Sequence, residues 1–403
     1  VTRAAITGVG AVTPLGVGVD ALYSGWTQGR SGIVDGQGAC LDFEPTTELS
    51  RKEARRADRS SQLLLTAGAE ALAQAGWGGP GAAATLPYPQ ERIGTVIGSG
   101  IGGFITLTEN HKALLEGRPV SPLAIPLLMA NGPTGQIALR HGLQGPSYGT
   151  VSACAAGAHA IAAGVRELRA GTCDAVVVGG TEAALVDLAR AGFSAMDALS
   201  PTGRSRPFHK DRDGFVLAEG AAVLVLEDED KAKARGAEIL GYVLGVGSSQ
   251  DAHHLTAPTP DGSGASRAVK QALLDAGVPA TDVDYVNAHG TGTPLNDRSE
   301  SGAMAIALGD HLQDTPISSL KSAIGHTLGA AGAIEAVATT LALRDRIAPP
   351  TLGLDDPDPD LALRHVIGEP TPLRETPGRA PIALSTSFGF GGHNACIVLG
   401  GVA

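Results

Sequence analysis

Cys154 lies in SACAAG, between the segment SYGTVSA, which passes from apolar to turn-forming residues, and the helical stretch CAAGAHAIAAGVRELRAG. A thiol at a helix N-terminus faces the positive end of the helix dipole and unpaired N–H groups. Both lower its pKa and favour the nucleophilic thiolate. A cysteine among alanines is more often a small core residue, so the reading rests on what accompanies it. VNAHGTGTPLND places His289 at the end of an apparent strand, before a loop of glycines and hydroxyls where side chains can meet a ligand. SSLKSAIGHTLGAAG places Lys321 and His326 just before a second helix of small residues. A single histidine at either place reads as structural. Two histidines at such junctions late in the chain, with a cysteine at a matching junction earlier, read as a nucleophile with catalytic partners.

The elements that position these residues follow from apolar patterning. Short β-branched runs ending in glycine recur at Ala4 to Gly10, Ile93 to Gly100, Ala175 to Gly180 and Ala221 to Leu226, and predict buried strands. A second series covers Leu240 to Gly247, Asp284 to Gly290, Ile317 to Leu320, Ile382 to Phe388 and Ala395 to Leu399. Helical segments between them make the chain an α/β protein. ITGVGAVTP opens the first series and LGVGSSQD the second, each a strand turning through Gly-x-Gly, which suggests an internal duplication. The helices from Cys154 and from Gly325, GHTLGAAGAIEAVATTLALRD, are small on every side, so both are expected between two sheets. The boundary is expected after EDEDKAKARG, giving halves 1–237 and 238–403. APPTLGLDDPDPD reads as a solvent-facing turn.

Composition narrows the function. With 403 residues the chain can bury a large core, and with 3% aromatic residues and 56 glycines that core is aliphatic and closely approached by backbone. A net charge of -11 argues against a general nucleic-acid surface. Cys40, Cys154, Cys173 and Cys396 form no CxxC or Cys/His ligand spacing, so no metal site or disulfide framework is expected and a reduced cytoplasmic setting fits. VTRAAITGVGAVTP reads as a first strand rather than a leader, and no apolar run reaches the roughly 18 residues of a membrane helix.

SACAAG, NAHGTGTP, LKSAIGHTLGAAG and SFGFGGHN occur in this order, with GSGIGG, SRPFHKDRDGFVLAEGA and DAHHLTAP between them. In these motifs the chain resembles the β-ketoacyl-acyl-carrier-protein synthases of the thiolase-like superfamily. The resemblance implies a five-layered αβαβα fold of two similar halves. It also implies a decarboxylative Claisen condensation: Cys154 accepts an acyl chain, and His289 and His326 handle the malonyl thioester. The substrates would ride on the 4'-phosphopantetheine of an acyl carrier protein, with no bound catalytic cofactor. The same resemblance gives Lys321 and Glu335 electrostatic, organising roles. It assigns Phe390 to the oxyanion hole, makes Phe388 and Phe390 a gate that Asn394 pins, and sets Thr291 and Thr293 on the pantetheine amides. Ile101, Ala124 and Phe193 fall at acyl-pocket positions.

RKEARRADR offers Arg51, Lys52, Arg55, Arg56 and Arg59 as a positive patch for an acidic carrier protein. Two departures point away from the housekeeping enzymes. Asp197 stands where a basic residue often holds the carrier, and Ala124 stands where long-chain enzymes have a bulky aromatic. With NDRSE after HGTGTPL, they favour the catalytic subunit of a type II polyketide synthase, paired with a chain-length factor. A homodimeric fatty-acid elongation synthase is the alternative, and a silent chain-length factor is the non-enzyme reading. Efficient elongation of ordinary saturated acyl groups by this chain alone would contradict the polyketide preference.

Overall fold

The computed structural model describes residues 3–78 and 85–402. Its strands, numbered here along the chain, are β1 (Ala4–Thr13), β2 (Ile93–Gly98), β3 (Ser147–Thr150), β4 (Ala175–Glu182) and β5 (Gly220–Asp228), followed by β6 (Gly241–Gln250), β7 (Tyr285–Asn287), β8 (Pro316–Ser318), β9 (Ile382–Gly389) and β10 (His393–Gly400). The helices that matter for the site are α1 (Arg59–Gln74), α2 (Ala156–Arg169), α3 (Ser263–Ala276), α4 (Pro294–Leu308) and α5 (Ala331–Asp345). Among the described residues no helix is long and apolar enough to cross a membrane.

The strand order is β3-β2-β4-β5-β1 in the first half and β8-β7-β9-β10-β6 in the second. Numbered within each set of five, both read 3-2-4-5-1. In both, the pairs 3-2 and 2-4 are parallel and the pairs 4-5 and 5-1 antiparallel. The repeat that the two Gly-x-Gly openings suggest is therefore a repeat of topology. The two sheets are not separate, as expected from the sequence, because their edge strands pair. β1 and β6 run antiparallel through Ala4 with Val243, Ala5 with Tyr242 and Ile6 with Gly241, joining everything into one 12-stranded sheet. Unpaired edge backbone inside a core is costly, and this pairing removes it.

Helices α2 and α5 lie between the two halves of that sheet, α2 against β2, β4, β6 and β10, and α5 against β5, β4, β9 and β10. Outside, α1 covers β1 and β5, and α3 covers β6 and β10, which completes the five layers. In α5 every residue from Ala331 to Leu343 is buried. Small side chains allow this packing. A Cβ on Gly157 would sit 2.9 Å from the Ala333 nitrogen, and one on Gly332 would sit 2.8 Å from the Ala158 nitrogen, so the two buried helices cross backbone against backbone. The acidic loop is only partly the turn expected from its composition. Residues 348–351 are buried, with Trp26 Nε1–H donating to the Pro350 carbonyl at 2.8 Å. Beyond them Asp355, Asp356 and Asp358 pair with His209, Lys210 and Arg212.

Helix and strand also approach closely beside the cysteine: a Cβ on Gly98 would meet the Ala156 carbonyl carbon at 2.3 Å. Gly98→Ala is expected to lower stability by about 1–3 kcal/mol through overpacking, read as a drop in the thermal unfolding midpoint.

Candidate active site

Cys154 sits just before α2, in a turn where Ala153 takes φ = 50°. A non-glycine residue in that region is strained, and here it turns the chain sharply enough to set the thiol ahead of the helix. The first turn of α2 starts at Ala156, two residues later than the sequence suggests. His289 follows β7 and enters the site with its backbone N–H donating to Glu300 Oε1 at 2.8 Å and to Thr386 Oγ1 at 3.0 Å. His326 reaches it from a turn between two short helical pieces, where Gly325 has φ = 77° and Leu328 φ = 48°. These turns bring Cys154 Sγ and one ring nitrogen of each histidine within 4.8 Å of one another, all buried.

The hydrogen bonds define which nitrogens face the thiol. The Leu328 N–H donates to His326 Nδ1 at 3.2 Å, so the proton of that neutral ring is on Nε2. Lys321 Nζ lies 3.2 Å from His289 Nδ1, and the same argument puts the His289 proton on Nε2. Burial, then the nearby Lys321 charge and His326, hold His289 well below the usual imidazole range; burial and Lys321 do the same for His326. The cavity therefore meets two neutral Nε2–H donors. Although Cys154, His289 and His326 are chemically a zinc-type donor set, these rings present protons to the space a metal would occupy.

Lys321 is 1% exposed. Its ammonium donates to the His289 carbonyl at 2.6 Å, to Glu335, and toward His289 Nδ1, which uses all three protons. Burial pushes Glu335 up to about 7 against the pull of Lys321. Neither residue lines the cavity; both stand behind His289.

One sequence expectation is overturned here. Burial pushes the Cys154 thiol up to about 11, outweighing the Lys321 charge and the N–H groups of Phe390 and of Cys154 itself, while Glu182 pushes it further up. The resting site holds a thiol, because desolvation of a thiolate costs more than the helix terminus and nearby cation return.

A cavity of about 530 Å³ opens onto the three residues and is lined by Ile101, Phe193, Thr291, Thr293, Phe388, Phe390 and Asn394 among others. Phe215, which the sequence reading did not single out, packs edge-on against both Phe193 and His326 at 5.3 and 5.2 Å and shields the second histidine. Thr291 and Thr293 bond each other at 2.9 Å. The loop carrying Phe390 turns through Gly391 and Gly392 at φ = 85° and 77°. Asn394 Nδ2 donates to Asp251 Oδ1 at 2.7 Å, and the Asp251 N–H to the Gly392 carbonyl at 2.9 Å. Asp251 was also not singled out from the sequence.

Ala124 is buried at the start of a five-residue helix and is not among the residues that line the cavity within one chain. One placement departs from the sequence reading. Arg59 does not share the exposed face of Arg51, Lys52, Arg55 and Arg56. It is clamped by Glu219, Nε donating at 2.7 Å and Nη2 at 2.6 Å. NDRSE also takes a structural meaning: Glu300 accepts from the His289 and Gly290 N–H groups, and Asp297 from those of Phe208 and Thr291. A sequence signal existed, two carboxylates three residues apart on the buried side of α4.

A layered thiolase-like duplication with a buried Cys-His-His centre defines a condensing enzyme. The family descriptions "Beta-ketoacyl synthase, N-terminal domain" and "Beta-ketoacyl synthase, C-terminal domain" match residues 37–232 and 240–355. The chain is 42% identical to 3-oxoacyl-[acyl-carrier-protein] synthase 2 of Synechocystis, covering 98% of this chain and 97% of that one. It is 40% identical to the Staphylococcus aureus protein of the same name, at 98% and 97% coverage. Among solved structures, a beta-ketoacyl synthase from Burkholderia phymatum superposes with a TM-score of 0.90 at 33% identity, and the ishigamide ketosynthase/chain length factor with 0.88 at 32%, each over the full length of both chains. The chain belongs to the β-ketoacyl synthase family, and its chemistry is condensation of acyl thioesters.

With both imidazoles already neutral, the condensation rate is expected to show no acid limb near pH 6.5. In Lys321→Ala, removal of the adjacent charge raises both histidine pKa values, so an acid limb should move up toward neutrality. A pH–rate profile of the two proteins checks both. In the wild type, alkylation of Cys154 by iodoacetamide should climb about tenfold per pH unit from pH 7 to 10, because only the small thiolate fraction reacts.

Proposed function

We propose that this chain condenses a Cys154-bound acyl group with a malonyl thioester carried on the phosphopantetheine of an acyl carrier protein. The observation that carries the reading is the pair of Nε2–H donors converging on the cysteine sulfur. In the first step Sγ attacks the acyl thioester, its proton ends on the departing pantetheine thiol, and the N–H groups of Cys154 and Phe390 hold the oxyanion. In the second, the malonyl carboxylate leaves as carbon dioxide. The electron pair it leaves behind delocalises onto the thioester oxygen, where His289 and His326 donate. Each such donor contributes about 3 kcal/mol to the barrier. The enolate carbon then attacks the Cys154 thioester, and the cysteine leaves to yield a β-ketoacyl product on the carrier.

Of the two pathway readings, the fatty-acid elongation synthase gains most. Relatives 40–42% identical over nearly the whole chain bear the name synthase 2. The type II polyketide reading keeps one local observation: Asp197, exposed at φ = 51° on the cavity rim, puts a negative charge where a carrier would dock. A solved type II PKS acyl-carrier protein in complex with its ketosynthase, 29% identical here at a TM-score of 0.89, shows such a pairing in a relative. In either case we assign a second subunit, identical or homologous, to the sheet edge at β3, where Tyr148 and, just beyond the strand, Val151 are exposed. We assign the carrier to the face of Arg51, Lys52, Arg55 and Arg56. Glu53 is spent on Arg140 at 2.9 Å, so that face stays positive. Residues 1–237 and 238–403 are the two units we assign to the duplication.

Cys154→Ala should abolish condensation yet leave decarboxylation of malonyl-carrier measurable, whereas His289→Ala or His326→Ala should lower decarboxylation by about 10²–10³-fold. Release of carbon dioxide without Cys154, scored by mass spectrometry of the carrier, separates the two roles; equal loss in all three variants contradicts the scheme. The double variant Arg55→Glu, Arg56→Glu should raise KM for carrier-bound substrate with kcat unchanged, and the wild-type KM should rise with salt. Elongation of saturated acyl carriers by the chain alone supports the fatty-acid reading, and a requirement for a co-expressed homologue supports the polyketide one.

A further inference from the structure

Glu182 ends β4, is fully buried, and among the described residues makes no salt bridge. A lone carboxylate inside an apolar sheet is costly unless donors replace its water. Four do. Ser99 Oγ–H and the Ile101 N–H reach Oε1 at 3.0 and 3.2 Å, and the Gly100 and Gly329 N–H groups reach Oε2 at 2.6 and 3.0 Å. Every partner is a donor, so both carboxylate oxygens only accept; burial raises the Glu182 pKa against the pull of these four bonds. Three segments meet on this anion. Residues 99–101 carry Ile101 in the wall of the cavity, Gly329 ends the turn that holds His326 through Leu328, and β4 itself is part of the sheet beneath Cys154. The fit leaves no slack, since a Cβ on Gly329 would stand 2.2 Å from the Gly100 nitrogen and 2.7 Å from Glu182 Oε2.

We propose that Glu182 is a positioning residue for the condensation: through its four hydrogen bonds, the wall that touches the acyl chain sets the alignment of His326. An acyl chain pressing on Ile101 bears on the same carboxylate that holds Gly329, so chain length reads out as the placement of one imidazole donor. Glu182 touches no reacting atom and acts through the two turns it joins. Its charge also opposes ionisation of Cys154, which gives the proposal a second signature that a purely structural residue lacks.

The test compares the wild-type enzyme with Glu182→Gln and Ser99→Ala, using carrier-bound saturated acyl substrates of increasing length. Glutamine keeps the shape, but its amide group turns a donor toward N–H donors. Glu182→Gln is expected to lower kcat about ten- to a hundred-fold, the scale of a small misplacement of a catalytic group, with KM for malonyl-carrier little changed. It should flatten the dependence of kcat on acyl length and move the pH midpoint of Cys154 alkylation downward. Ser99→Ala removes one donor and keeps the charge, so it should show a smaller fall in kcat and the same flattening with the alkylation midpoint unmoved. Wild-type kcat and length preference in Glu182→Gln overturn the proposal. If Glu182→Gln fails to fold, Ser99→Ala decides it, and unchanged length dependence in that variant overturns the proposal as well.

Discussion

The ammonium of Lys321 is taken out of water and satisfied by three acceptors, and much of the site follows from where that positive charge stands. Glu335 from α5 and the carbonyl and ring of His289 close around it, which ties the strand-end turn at β7 to the buried helix. A buried ion pair contributes little to stability on balance, because desolvation consumes most of the attraction. Here its effect is electrostatic. Burial and this charge together keep both imidazoles neutral; Lys321 holds the proton off His289 Nδ1 and the Leu328 N–H does so at His326 Nδ1, so each ring offers an Nε2–H to the cavity. The charge also partly offsets the cost of forming a thiolate at Cys154.

That arrangement is possible because backbone can approach backbone. Two helices must fit between the halves of one sheet, and only glycine and alanine at the crossing of α2 and α5 leave room. The scarcity of aromatic residues belongs to the same constraint. The few phenylalanines near the site line or shield the cavity, with Phe193, Phe215 and Phe390 beside the rings and the thiol.

Most strands were legible as short β-branched runs, often closed by glycine, although β3 (SYGT) was read only as a passage to a turn; the three chemical residues were legible because their types stood at matching junctions. What escaped depends on tertiary closure. The direction of the Cys154 shift is set by how deeply two distant stretches bury it, which no local pattern records. Arg59 looks like its neighbours in one hydrophilic run, yet Glu219, 160 residues away, captures it. Ala124 falls in the expected motif but does not line the cavity within one chain. Glu182 carried a readable signal, a single acid closing the strand AVVVGGTE, whose need for compensating donors was overlooked.

The pairing of β1 with β6 has a mechanical outcome. Since the halves share hydrogen bonds at their seam, and both interior helices touch strands on each side of it, the two halves are joined into one continuous block. Under the proposed function, admission of a thioester then falls to short glycine-rich segments beside the cavity, such as the one bearing Phe390, which turns through Gly391 and Gly392.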